Sequence, residues 1–434
     1  MLIRNAQIRS ESAGQLVDIR IDDGRITWIR PAGDAAVAGV DSQAHSGQGG
    51  RSSQSGEFGE VVDVAGKFVA PQLVESHIHL DYAFSAGTPR DNESGTLFEA
   101  IEIWRERKQL GLGTAEEVRA KAIAAARSAA SHGVGFIRTH VDVTDPELVA
   151  LGVLVDVKKE VADFCQIEIV AFPQNGMYAY PGGDELVERA LREGADVVGA
   201  IPHLEPTRED GVASLKHAFD LAEKFGARVD VHCDEIDDEQ SRFVEVMAAE
   251  ATKRSMQGLT NVSHSVAMSY YTPGFMARLL PKMQAAQLSF SVCPNENLHL
   301  QGRGFSNPVP RGVAPVKQLV DFGLNVAFCQ DSISDPWYPM GNGDLVRIID
   351  TGLHVGHMLT PAYVDTCLDF ATTNPAQTLG LSDYGIAEGK RANLVVFEAG
   401  SEREILQESA PVLLSIHDGR TVFERPSMNP VWRL

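Results

Sequence analysis

The sequence predicts an α/β fold: a (β/α)8 TIM barrel carrying a small β-sandwich domain built from both chain ends. Three features predict it. From about residue 69 to 380, short apolar strands alternate with amphipathic helices. Short strands separated by tight-turn signals occupy both ends of the chain. In the middle region, histidines and carboxylates gather where apolar strands end. Eight βα units of this size favour a closed barrel over the rival, a doubly wound sheet. The chain has no GxGxxG or GxxxxGKS/T motif, so a nucleotide-phosphate fold has no support.

The small β domain is expected from residues 1–68 and 381–434, and the barrel from 69–380. N-terminal strands are expected at Leu2–Ile8, Leu16–Ile21, Arg25–Ile29 and Val61–Val64, with Asp22-Asp23-Gly24 as a hairpin turn. Asp41 to Glu57 is rich in Ser, Gly and Gln, and it reads as a mobile surface insertion. The barrel strands are expected at Val69–Leu80, Gly135–Val143, Ile167–Phe172, Val197–Pro202, Arg228–Cys233, Asn261–Ser265, Leu288–Cys293 and Leu324–Asp331. Helices include Ala115–Ala130, Glu185–Arg192, Val212–Phe225 and Glu239–Ala251. Strands return at Ala392–Phe397, Val412–His417 and Arg420–Phe423, with Asp418-Gly419 as a turn.

The chain has 434 residues, 44% hydrophobic and 22% charged, enough for one large domain with an appendage. Its formal charge of −21 disfavours nucleic-acid backbones and anionic membranes as partners. The first ten residues lack the apolar core of a signal peptide, and no run is long enough to span a membrane. The five cysteines (Cys165, Cys233, Cys293, Cys329 and Cys367) are odd in number and form no CxxC pair. A reduced, cytoplasmic chain is expected, its cysteines serving as small buried hydrophobes.

In such a barrel, chemistry sits at the C-terminal ends of the strands. Strand 1 supplies His77 and His79, which alternation puts on one face roughly 7 Å apart. Strand 5 supplies His232, strand 6 His264 and strand 8 Asp331. A single histidine of this kind is most often structural. Four histidines and a carboxylate on one rim point to a divalent metal, since three His and a carboxylate leave room for a water. A bound ion would make that water acidic near neutral pH. Glu235, three residues past His232, could reach the same space and move a proton. Asp234, Asp237 and Asp238 read as solvated or helix N-terminal charges.

This pattern at strands 1, 5, 6 and 8 resembles the amidohydrolase superfamily. Gly385-Ile-Ala-Glu-Gly-Lys-Arg-Ala-Asn-Leu-Val-Val396 resembles that superfamily's return into its small β domain. Within the superfamily the chain is most similar to the bacterial cytosine deaminases. The similarity runs through His77–Asp81, Ser94–Glu99, Arg138–Asp142, Ala171–Gln174, Gly199–His203, His232–Phe243, His299–Arg303 and Asp335–Pro339. The resemblance implies one divalent metal ion per subunit, Fe2+ or Zn2+, on His77, His79, His232 and Asp331. It implies that Glu235 carries a proton to a ring nitrogen and that His264 orients the hydrolytic water. Asp331 would also pass the water's proton to the departing amine. Gln174 would read the ring's amide edge, and Trp337 would lie against the flat ring. The implied reaction is deamination of cytosine or 5-methylcytosine to uracil or thymine. The implied partner is a nucleobase-like small molecule, and a homo-oligomer is expected.

Four departures from the cytosine enzymes bear on substrate choice. A second Asp usually follows the Asp ligand; here it is Ser332. Gln330 replaces a His, Asn175 replaces a frequent Glu, and Ser291–Asn297 differs as a stretch. Ser332 is expected at the cavity edge, where a smaller, uncharged side chain leaves room for a methyl at ring position C5. Two alternatives stand beside the pyrimidine reading. One is amine removal from another heterocycle: an s-triazine such as N-isopropylammelide, isocytosine or a creatinine-like ring. The other is a barrel kept for binding alone, which loss of a ligand would signal; no ligand is missing.

Overall fold

The computed structural model describes residues 1–9, 14–33, 51–56 and 59–427. Eight parallel strands pair in chain order: β7 (Leu73–Ile78), β8 (Val134–Asp142), β9 (Gln166–Phe172), β10 (Val197–Ala200), β11 (Arg228–Cys233), β12 (Thr260–His264), β13 (Ser289–Val292) and β14 (Asn325–Phe328). The sheet closes where β7 meets the segment after β14. A parallel bridge joins Ile78 to Asp331, with His79 N donating to the Asp331 carbonyl and Asp331 N to the His77 carbonyl, each at 3.0 Å. Closure excludes the doubly wound alternative. Every residue of β7, β8, β10, β12 and β13 is buried, as expected for a parallel sheet covered by helices.

The expected strand Val69–Leu80 is two strands. Val69–Pro71 is β6, which pairs antiparallel with β15 (Leu394–Phe397) in a small sheet of order β17-β16-β15-β6, where β16 is Val412–His417 and β17 Arg420–Glu424. The chain crosses to the barrel at Gln72, whose N–H donates to Asn393 O at 2.9 Å while Leu73 N donates to Gly133 O. Pro71 has no N–H to continue a ladder, which favours the break there.

The second small sheet has the order β3-β2-β1-β5-β4. Its strands are β1 (Leu2–Ala6), β2 (Val17–Asp22), β3 (Arg25–Pro31), β4 (Arg51–Gly56) and β5 (Gly59–Asp63). Both hairpin turns put two consecutive residues at positive φ: Asp23 at 49° with Gly24 at 77°, and Asp418 at 47° with Gly419 at 74°. That is the backbone a two-residue hairpin needs, and it accounts for the Asp-Gly pairs. Ile3, Ile19, Ile21 and Ile26 of one sheet pack with Val69, Leu394, Val396, Leu414 and Ile416, giving the sandwich a core drawn from both chain ends. Of the expected insertion Asp41–Glu57, residues 41–50 and 57 lie outside the described residues. Residues 51–56 are not a loop: β4 pairs antiparallel with β5. An edge strand can form on backbone hydrogen bonds with few apolar side chains, which is why composition hid it.

Helix starts follow their caps. Thr96, Thr114 and Thr207 each accept from the backbone N–H three residues on, starting Leu97–Gln109, Ala115–Ser131 and Arg208–Phe225. The helix expected from Glu239 begins at Phe243, because buried Asp234 accepts from Phe243 N at 3.0 Å and Val244 N at 2.9 Å. Asp234 is therefore a helix N-terminal anchor and not a solvated charge. All five cysteines are unpaired and buried, and among the described residues no helix is long and apolar enough to cross a membrane.

Because β4 pairs at one edge of the small sheet, deleting Asp41–Glu57 should leave kcat/KM within a few-fold of the full chain. A folded but inactive deletion protein, assayed for ammonia release, would show that the segment reaches a functional surface.

Candidate active site

The strand tips converge. His77 lies in β7 and His79 just beyond it; His232 and His264 lie in β11 and β12. Asp234, His264 and Asp331 have φ of 56°, 65° and 66°, a left-handed backbone that costs non-glycine residues roughly 1–3 kcal/mol each. The strain turns the chain sharply at three strand ends. It keeps His264 and Asp331 facing the barrel axis.

His77, His79 and His232 offer ligand atoms within 4.8 Å of one another, and Asp331 borders them. His79 Nε2 is 3.1 Å from His232 Nε2, and Asp331 Oδ1 is 3.3 Å from His77 Nε2 and 3.5 Å from His79 Nε2. A tetrahedral ion with bonds near 2.1 Å sets its ligand atoms about 3.4 Å apart, a separation that these three distances match. His77 Nε2 is buried without a hydrogen-bond partner, as is Asp331 Oδ2. Burial, with the neighbouring imidazoles, pushes His232 well below the usual histidine range. Burial does the same to His79 against the pull of Asp331, so both are neutral, the ligating form. Burial alone would raise Asp331; the facing His77, His264 and His79 overturn this and hold it ionised. The residues fit one divalent cation.

Two other groupings fit less well. Cys293 approaches His77, His264 and Asp331, but burial holds its thiol protonated and it packs with Ala327 and Cys329. Asp230 approaches His77 and His140, but its oxygens already accept from Arg138 Nη1, Asn261 Nδ2 and Ser263 Oγ, each at 2.9 Å. Ser263 Oγ in turn lies 2.8 Å from His77 Nδ1, fixing that ring so that Nε2 faces the cluster.

A small cavity opens beside the cluster. It is lined by His79, Tyr82, Gln174, His232, Glu235, His264, Asp331, Ser332 and Trp337, together with Leu97, Ile201 and Glu296. Every expected site residue thus reaches either the cavity or the donor cluster. His264 Nδ1 lies 3.4 Å from Glu235 Oε1 and 3.6 Å from Asp331 Oδ2. Asn297 Nδ2 lies 3.3 Å from the same ring nitrogen. Burial, then the charge of Asp331, pushes Glu235 well above the usual carboxyl range. Burial holds His264 down at about 3.

Flat surfaces bound the cavity. Tyr82 stacks on His79 with centroids 4.6 Å apart and on Trp337 at 4.8 Å. Its hydroxyl donates to Gln174 Oε1 at 2.9 Å, which leaves the Gln174 amide N–H groups free for a ligand. Tyr82 and Glu296 are site residues that the sequence reading did not single out. Tyr82 sat beside the more conspicuous His77–Asp81 run. Glu296 lay inside the deviating stretch Ser291–Asn297.

Two of the departures are explained without a substrate. Gln330 Oε1 accepts from Gly343 N at 3.1 Å and braces a loop. Asn175 Nδ2 donates to Thr144 Oγ1 at 3.0 Å and faces an outer groove. Neither lines the cavity; Ser332 and Glu296 do. The expectation that Ser332 leaves the cavity edge uncharged needs correction. Buried Glu296 lines the same cavity and buried Asp335 follows three residues on, so carboxyls stand at neighbouring positions instead.

An amidohydrolase family model matches residues 108–423. The 5-methylcytosine deaminase of Klebsiella pneumoniae, solved with 5-fluorocytosine, is 43% identical with a TM-score of 0.91, over 100% of this chain and 99% of its own. N-isopropylammelide isopropylaminohydrolase from Burkholderia multivorans is 25% identical with a TM-score of 0.79, over 98% of each chain. The pterin deaminase of Rhizobium rhizogenes is 26% identical over 93% of this chain and 87% of its own. With the closed barrel, the donor cluster at its rim and a family match across most of its length, the chain belongs to the amidohydrolase family.

Proposed function

We propose that this amidohydrolase is a metal-dependent deaminase of a free pyrimidine base, converting 5-methylcytosine to thymine and cytosine to uracil with release of ammonia. The observation that carries the reading is full-length similarity, at 43% identity, to a protein that deaminates 5-methylcytosine. A narrow cavity with stacked aromatic walls suits one flat ring. The N-isopropylammelide and pterin relatives match at lower identity, so their substrates are the alternatives to exclude.

His77, His79, His232 and Asp331 would hold one Fe2+ or Zn2+. The ion, when bound, would lower the pKa of water and make it a nucleophile near neutral pH. Glu235, held protonated by burial and Asp331, would give its proton to the ring nitrogen beside the reacting carbon. His264 would hydrogen-bond and orient the water. Asp331 would accept the water's remaining proton and deliver it to the departing amine. Gln174 would donate an amide N–H to the ring carbonyl, since its oxygen is occupied by Tyr82. Ser332, short and in the cavity wall beside Asp331, would leave space for the C5 methyl.

The direct test is ammonia release from 5-methylcytosine, cytosine, isocytosine, creatinine and amino-triazines. We expect 5-methylcytosine to be turned over at least as well as cytosine. A hundredfold preference for cytosine in kcat/KM is about the most a methyl contact could account for, and would contradict the reading. Ser332→Asp would set a third carboxyl beside Glu296 and Asp335, so Ser332→Val, larger and neutral, is the cleaner probe. It should lower 5-methylcytosine turnover about tenfold more than cytosine turnover, the scale of one crowded methyl.

The ligand and proton-transfer roles separate cleanly. His232→Ala should lose both metal and turnover. Glu235→Gln should keep the metal, measured by elemental analysis, and lose about two to four orders of magnitude in kcat. Near-normal turnover in metal-loaded Glu235→Gln would move the proton-transfer role elsewhere.

A further inference from the structure

Glu296 has no part in the mechanism above. It sits in the short helix Pro294–Leu300, which starts directly after β13, and is 2% exposed. It lines the cavity, and its Oε2 is buried with no hydrogen-bond partner. A buried polar oxygen without a partner is unfavourable, so a carboxyl left this way in a ligand cavity calls for a ligand donor. Ser332 lines the same cavity and follows Asp331 in sequence. Glu296 therefore shares the cavity with Asp331 and Glu235, the residues assigned above to the reacting carbon.

Resting on the pyrimidine reading, we infer that Glu296 is a specificity-determining residue whose free carboxyl oxygen accepts a hydrogen bond from the exocyclic amine of the substrate. Three consequences follow from the chemistry. An amine on the reacting carbon carries N–H donors and satisfies the oxygen. The product carries a carbonyl at that carbon, which offers this oxygen no donor, so the contact is lost in the product. The related cytosine enzymes carry a carboxylate at the position of Ser332; here the same chemistry comes from the next strand tip. Moving it there keeps the amine acceptor while leaving the space around Ser332 open.

The test compares substrate and product binding in metal-loaded protein. Glu296→Leu should raise KM for 5-methylcytosine while leaving thymine inhibition little changed, and Glu296→Gln, which keeps an oxygen acceptor, should do so less. The ratio of thymine Ki to 5-methylcytosine KM should fall about fivefold in Glu296→Leu, the scale of one hydrogen bond. Metal content should stay at the wild-type level. Adding Ser332→Asp to Glu296→Leu returns an acceptor from the neighbouring position, and should restore much of the ratio for cytosine, which needs no methyl space. An unchanged ratio in metal-loaded, folded Glu296→Leu overturns the inference and leaves the pyrimidine reading standing. A wild-type protein that releases ammonia from neither base overturns both.

Discussion

The structure depends on a seam between its first and last barrel strands. Two backbone hydrogen bonds, His79 N to Asp331 O and Asp331 N to His77 O, close the cylinder. The side chains of the same three residues supply three of the four clustered donor atoms. Closure and site assembly are therefore one event. Strand side chains alternate with period two, so a one-residue slip at this seam would turn His77 and His79 away from the axis. The left-handed backbone of Asp331 then directs its carboxylate at them.

The seam is supported from below by a polar barrel interior. Arg138, fully buried, reaches Glu168 at 2.7 Å and Asp230 at 2.9 Å. Asp230 holds Ser263, and Ser263 holds His77. Asn261 links Asp230 to Ser291, which meets Ser76 at 2.8 Å. Burying charges costs several kcal/mol per ion before pairing offsets it. An apolar core would be as stable, but it could not hold an imidazole in one tautomer and one orientation. This network exchanges some stability for a fixed ligand geometry.

The barrel and its rim were legible because both rest on local signals. Apolar runs such as Arg228–Cys233 end at the residue where a polar side chain appears, and that boundary matches the observed strand. Gln72 is where the reading stopped short: nothing in Val69–Leu80 distinguishes a strand that serves two sheets. The partner of β6 is more than 300 residues away in sequence, and only the fold brings it near. Glu296 and Tyr82 were missed for a similar reason. Each faces the cavity because of a loop's path after its strand, which spacing does not encode. Ser332 is placed by its neighbour Asp331, yet Glu296, which shares its cavity, comes from the tip of another strand, so its electrostatic setting cannot be read in isolation.

If seam and site are one unit, the metal stabilises the closure of the barrel. The most direct measurement is amide hydrogen exchange of the metal-loaded protein against protein treated with a chelator. The account predicts faster exchange concentrated at the His79 and Asp331 amides and the adjoining turns of β7 and β14, with the β8–β12 amides little changed. Uniform exchange along the barrel, or none that responds to the metal, would contradict it.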